Sequence, residues 1–126
     1  MKKINVLAID DDEISLKLIK LILEKNSFVD TIITATNGLE ALEILEKRFD
    51  IDLILLDLIM PVMNGYEFLA NIQTRDYLSM IPIIVVSTDE TAKQKVFEYG
   101  AYDFILKPIR EKELSSAVQE TLNLLA

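Results

Sequence analysis

The sequence predicts a doubly wound α/β domain, in which a parallel sheet of five strands carries helices on both faces. Short β-branched runs alternate along the chain with longer stretches of helical period. The middle runs, DLILLD and PIIVVS, are apolar at consecutive positions, as strands are when helices cover both sides of a sheet. No repeat, low-complexity tract or linker rich in Pro, Gly or Ser interrupts the 126 residues, so residues 1–126 read as one domain around a single sizeable core.

The elements follow in order. INVLAI (4–9) is the first strand and ends in the acidic run Asp10, Asp11, Asp12 and Glu13, which begins a helix. TIITA (31–35) is the second strand, and beyond it Asn37, with Glu40 three residues on, marks a helix cap. DLILLD (52–57) is the third strand, and Gly65 opens the helix region behind it. PIIVVS (82–87) is the fourth, and Gly100 suits the left-handed end of the next helix. DFIL (103–106) is the fifth. The last helix shows Leu114, Ala117, Val118, Thr121, Leu122 and Leu125 at i, i+3, i+4 spacing. Five helices following five parallel strands require right-handed crossovers.

Composition narrows the function classes. At 51% hydrophobic and 27% charged residues the chain is too apolar for a disordered protein. A formal net charge of -8 repels phosphate backbones, so neither direct nucleic-acid binding nor an anionic membrane surface is expected, and a basic partner surface suits it better. Cysteine and histidine are both absent, which removes thiolate and imidazole ligands and the commonest general base; any metal here is held by oxygen. The start MKKINVLAID has too short an apolar stretch for a signal peptide or a spanning helix, which makes a cytoplasmic protein the expectation.

In open α/β sheets ligands sit beyond the carboxyl ends of the strands. Those ends carry Asp10 and Asp11, Asp57, Ser87 with Thr88, and Lys107. Acids at a helix start serve as caps when taken alone. Three carboxylates converging with a hydroxyl and an amine instead suit Mg²⁺, which takes near-octahedral oxygen ligands and combines one or two carboxylates with waters and a phosphate.

The motif DLIMPVMNG (57–65), together with the acidic start, the strand ending in Ser87 and the Lys107-Pro108 pair, resembles the response-regulator receiver family over the full chain. The resemblance implies a flavodoxin-like sheet of strand order 2-1-3-4-5. It implies that Asp57 is the nucleophile that accepts a phosphoryl group from a histidine of a sensor histidine kinase or histidine phosphotransfer protein. It also implies Mg²⁺ bound by Asp11, Asp57 and the backbone carbonyl of Ile59, with Asp10 acting through water. Asp12 and Glu13 are then bystanders. Ser87 and Lys107 contact the phosphoryl oxygens, Phe104 is the switch aromatic that turns inward, and a cis Lys107-Pro108 bond is expected. A downstream protein target reads the fourth helix, fifth strand and fifth helix.

Other readings compete. A Mg²⁺-dependent phosphohydrolase of the haloacid-dehalogenase type also uses an aspartate nucleophile, and Asp10-Asp11-Asp12 contains its D-x-D pattern; the Asp57 motif is then unexplained, and 126 residues leave no cap domain. A flavodoxin-like electron carrier needs a first loop that accepts a phosphate, and DDDE repels one. A purely structural pseudo-receiver leaves Asp11, Asp57, Ser87 and Lys107 unexplained. Met60, Met63 and Tyr66 read as gap-filling side chains without chemistry. Thr88 stands where the family usually carries a small residue, and its branched side chain narrows the approach to Asp57. Ile59 offers nothing to orient an attacking water, while the charge of Asp89 opposes hydroxide. Together they predict a long-lived phosphorylated state.

Overall fold

The computed structural model describes residues 3–125; Met1 and Lys2 of the amino-terminal stretch, and Ala126, lie outside the described residues. The elements run β1 (Ile4–Ile9), α1 (Glu13–Glu24), β2 (Val29–Ala35), α2 (Gly38–Lys47), β3 (Leu53–Leu56), α3 (Gly65–Gln73), β4 (Ile83–Ser87), α4 (Lys93–Glu98), β5 (Asp103–Leu106) and α5 (Glu111–Leu125). Two 3-10 turns, Leu78–Met80 and Glu90–Ala92, precede β4 and α4. All pairings are parallel and the strand order is β2-β1-β3-β4-β5, the order expected.

The two-residue period of the strands divides the core in two. Val6, Ala8, Leu53, Leu55, Ile84 and Val86 point to one face, where Leu16, Ile19 and Leu23 of α1 and Leu114 and Val118 of α5 cover them. Leu7, Ile9, Ile54, Leu56, Ile83 and Val85 point to the other, against Leu42 and Leu45 of α2, Phe68, Leu69 and Ile72 of α3 and Val96 of α4. Every residue of β3 and β4 is buried, which is why those runs lack alternation in the sequence.

Strand ends differ from the sequence reading by a residue or two, for local reasons. β2 begins at Val29 rather than Thr31; it is a sheet edge, and the exposed Asp30 breaks its apolar pattern. Pro82, which has no N–H for the ladder, stays outside β4. The fourth helix is only six residues long because the chain enters it through a 3-10 turn.

Helix starts follow cap chemistry. Asn37 accepts the Glu40 N–H at 2.9 Å, but the Glu40 carboxylate turns to the Thr36 N–H at 2.7 Å, so the reciprocal pair expected there is displaced by one residue. The full capping box lies instead at α3, where Asn64 accepts the Glu67 N–H and Glu67 accepts the Asn64 N–H. Gly100 closes α4 at φ 96°, a conformation in which a side chain is strained.

At Gly65 no side chain fits. A Cβ there would stand 2.6 Å from the Leu58 Cα and 2.7 Å from the Asp57 carbonyl oxygen. Gly65→Ala is therefore expected to push the backbone after β3 outward and to cost about 1–3 kcal/mol, as overpacking does, read as a lowered urea midpoint.

Candidate functional site

The carboxyl edge of the sheet brings together residues from four of its five strands. β1 delivers Asp10 and Asp11, whose N-terminal neighbour Ile9 accepts the Asp57 N–H at 2.9 Å, so the first and third strands end side by side. Oxygens of Asp10, Asp11 and Asp57 all lie within 4.8 Å of one another. Asp10 and Asp57 are buried and Asp11 is exposed, facing the solvent side of the cleft.

Lys107, from the end of β5, reaches into this cluster. Its Nζ stands 3.0 Å from Asp10 Oδ2 and 3.7 Å from Asp57 Oδ1. Burial pulls the ammonium's pKa down, but the hydrogen bond and charge of Asp10, with Asp57 and Asp12 behind it, outweigh that and leave it raised. The Lys107–Pro108 peptide is cis, as the sequence resemblance implied. Asp10 is fully engaged, since its Oδ1 accepts the Asp12 N–H at 2.9 Å.

The Asp57 carboxyl is pushed up to about 6, first by burial, then by the negative charge of Asp10, with Asp11 adding to it; Lys107 and the Leu58 N–H offset only part. An oxygen-only set of clustered carboxylates, one of them reluctant to ionise alone, fits a hard divalent cation such as Mg²⁺. Ser87 is buried at the end of β4, where its Oγ accepts the Asp89 N–H at 3.1 Å. Asp89 itself caps the following 3-10 turn by accepting the Thr91 N–H. Thr88 is exposed. Phe104 is half-buried and packs against the core shared by α2, α3 and α4.

The loop after Asp57 is fastened at both ends. The Gly65 N–H donates to the Leu58 carbonyl at 2.8 Å, and the Gly38 N–H to that of Met63 at 3.0 Å. Val62 between them holds a left-handed φ of 69°, unfavourable for a β-branched residue. Ile59 and Val62 are 71% and 73% exposed, so an apolar rim borders a charged cleft. Met60 is buried, and Met63 and Tyr66 pack against the core, in keeping with their reading as filler. Tyr66 also touches α4, where the Lys95 ammonium lies 4.5 Å from its ring centroid and Tyr99 meets it edge-on.

One feature escaped the sequence reading. Asp12 caps α1, as acids at a helix start do, with its Oδ1 accepting the Ile14 N–H, but its Oδ2 also accepts the Ser15 hydroxyl at 3.1 Å, a partner not foreseen. Both oxygens are thus occupied, which leaves it ill placed for the general-acid role that the D-x-D pattern assigns. Ser15 in turn lies 3.5 Å from Lys107 Nζ. The spacing Asp-x-x-Ser at a helix start was the available signal.

The raised Asp57 pKa gives a pH signature. The folded protein binds this proton more tightly than the unfolded chain, whose carboxyl stays near its ordinary 3.8, so the group's contribution to stability falls as pH rises from about 4 to about 6 and stays low above that. Asp57→Asn is expected to raise the melting temperature at pH 7.5, with the gain shrinking toward zero by pH 4, as measured by calorimetry without divalent cations.

Residues 6–119 match the model of the response regulator receiver domain. The two-component response regulator ORR5 of Oryza sativa subsp. japonica is 32% identical over 120 residues, covering 94% of this chain and 88% of that protein. ORR7 of Oryza sativa subsp. indica is 32% identical over 119 residues, and there the chain spans only 55% of the relative's length. Among solved structures, the chemotaxis response regulator CheY4 of Vibrio cholerae superposes with a TM-score of 0.86 at 28% identity, over 95% of this chain and 99% of that one. With its fold, its strand-end residues and these likenesses in agreement, the chain belongs to the response regulator receiver domain family.

Proposed function

We propose that this receiver is a phosphorylation-dependent switch of a two-component system, with Asp57 as phosphoacceptor. The observation that carries the reading is the buried Asp57 carboxylate, with Lys107 Nζ at 3.7 Å and two further carboxylates beside it at one edge of the sheet. The donor is a phosphohistidine of a sensor histidine kinase or histidine phosphotransfer protein. An Asp57 oxygen attacks phosphorus, the new O–P bond forms as the P–N bond breaks, and the imidazole leaves with the electron pair.

Asp11, Asp57 and the Ile59 carbonyl would hold Mg²⁺, with Asp10 acting through water. Bound there, the ion supplies charge that offsets carboxylate repulsion and screens the incoming phosphoryl oxygens. Lys107 brings a second positive charge to the same oxygens. Ser87 turns its hydroxyl to the phosphoryl group, and Phe104 follows inward. Positioning and charge suffice for this transfer, which needs little covalent help.

The output is a change in partner binding at the face made by α4, β5 and α5, where Phe97 and Tyr102 are exposed. A downstream protein, not nucleic acid, reads it, in keeping with the net charge of -8. The cytoplasm is the compartment we assign, and no helix among the described residues is long and apolar enough to cross a membrane. Residues 1–126 act as one receiver domain in this reading.

Incubation with acetyl phosphate and Mg²⁺ is expected to add one phosphoryl group by intact mass, to require Mg²⁺, and to fail in Asp57→Asn. Steady turnover of small phosphate esters without an adduct would instead favour the phosphohydrolase reading. The phosphorylated form is expected to be long-lived, because the apolar side chain of Ile59, two residues beyond Asp57, orients no attacking water. First-order loss of phosphate should take minutes or longer, and Ile59→Asn should hasten it; loss within seconds in the parent contradicts the shielding.

A further inference from the structure

The Lys107 ammonium has three hydrogens and three oxygen neighbours: Asp10 Oδ2 at 3.0 Å, Ser15 Oγ at 3.5 Å and Asp57 Oδ1 at 3.7 Å. Two are carboxylates, one is neutral. We propose that Ser15 is a positioning residue for Lys107, accepting one ammonium hydrogen and thereby holding the charge between Asp10 and Asp57. The proposal rests on Asp57 being the phosphoacceptor.

The direction of the hydrogen bonds carries the argument. A serine hydroxyl has one hydrogen, and Ser15 gives it to Asp12 Oδ2 at 3.1 Å, which turns its lone pairs toward Lys107. The chain therefore runs ammonium to hydroxyl to carboxylate. Asp12 meets the need of helix α1 with its other oxygen, on the Ile14 N–H, so the bond to Ser15 is not required for the cap. Nor does the helix require serine at this place, since alanine is the better helix former. The half-buried hydroxyl is explained by the side chain it faces rather than by the element it sits on.

The consequence is mechanical. Asp10 is the nearer carboxylate, and as the ammonium's sole partner it would draw Lys107 away from Asp57. Ser15 gives the ammonium a second hydrogen-bond partner, on α1, so that Asp10 does not hold it alone. Being neutral, it also releases the ammonium easily once phosphoryl oxygens appear on Asp57, whereas a third carboxylate in direct contact would compete with them. Asp12 stands behind the hydroxyl, so its carboxylate acts on Lys107 by charge and without direct contact.

The test measures phosphorylation of the whole protein by acetyl phosphate with saturating Mg²⁺, for the parent, Ser15→Ala, Ser15→Thr and each serine variant combined with Lys107→Met. Loss of one modest hydrogen bond predicts a rate about two- to fivefold lower in Ser15→Ala, with Mg²⁺ affinity unchanged and the rate restored in Ser15→Thr. In the Lys107→Met background Ser15→Ala should have no further effect. An unchanged rate in Ser15→Ala, or an equal drop with and without Lys107, overturns the positioning role while leaving Asp57 as acceptor. A parent protein that takes up no phosphoryl group overturns the acceptor reading, and this inference with it.

Discussion

Repulsion among Asp10, Asp11 and Asp57 is the constraint that the rest of this structure accommodates. At 4.8 Å or less, each ionised pair repels by about 3 kcal/mol or more at an effective dielectric near 20. A flexible chain would simply spread such charges into solvent. Here they are the terminal residues of adjacent parallel strands whose backbones are hydrogen-bonded to one another and whose side chains are packed on both faces. The sheet cannot relax to separate them, and the reluctance of Asp57 to ionise reflects first its burial and then this repulsion. Lys107 offsets only part, because its nearest partner is Asp10. Any divalent cation that enters the cleft meets a charge distribution already arranged for it.

The loop from Leu58 to Asn64 ties the cleft to the helices beside it. It is pinned to α2 by Gly38 and to its own start by Gly65, and the absence of a Cβ at each allows the close approach. Tyr66, in the first turn of α3, then meets Lys95 and Tyr99 of α4. Ser87 leads through the Asp89 cap to the turn that opens the same helix. Two separate chains of side-chain contacts thus run from the acidic cleft to α4, which at six residues is a short helix with one buried side chain among its own residues, Val96. A short, lightly anchored element between two routes is well suited to shift with small changes at its ends.

Much of this was legible in the residues. β3 and β4 were read from uninterrupted apolar runs, and the strand-end acids, Ser87 and Lys107 followed from the rule that such ends face one cleft. Less legible was anything that depends on which oxygen of a side chain points where. Asp12 looked like surplus charge, yet its two oxygens divide between a helix cap and Ser15. The capping box at Asn64 and Glu67 was readable from its spacing but lay hidden inside a motif that drew attention to Asp57. The start of β2 was obscured because an edge strand needs only one apolar face, and Asp30 interrupts even that. Ser15 shows the limit most clearly: a serine on a helix is unremarkable until a lysine from 92 residues away is placed against it.

That separation bears on how the molecule comes into being. Asp10 and Lys107 lie 97 positions apart, and every strand pairing in the sheet is parallel and so joins segments distant in the chain. Topologies of this kind assemble slowly, because loop closure must precede most of the contacts that reward it. The cleft needs distant parts of the chain together, since its cation comes from the end of β5 and its carboxylates from the ends of β1 and β3. A nascent chain still lacking β5 would carry the full acidic repulsion with no ammonium to temper it. A divalent ion met during refolding would relieve that repulsion and favour the arrangements in which β1 and β3 are already side by side.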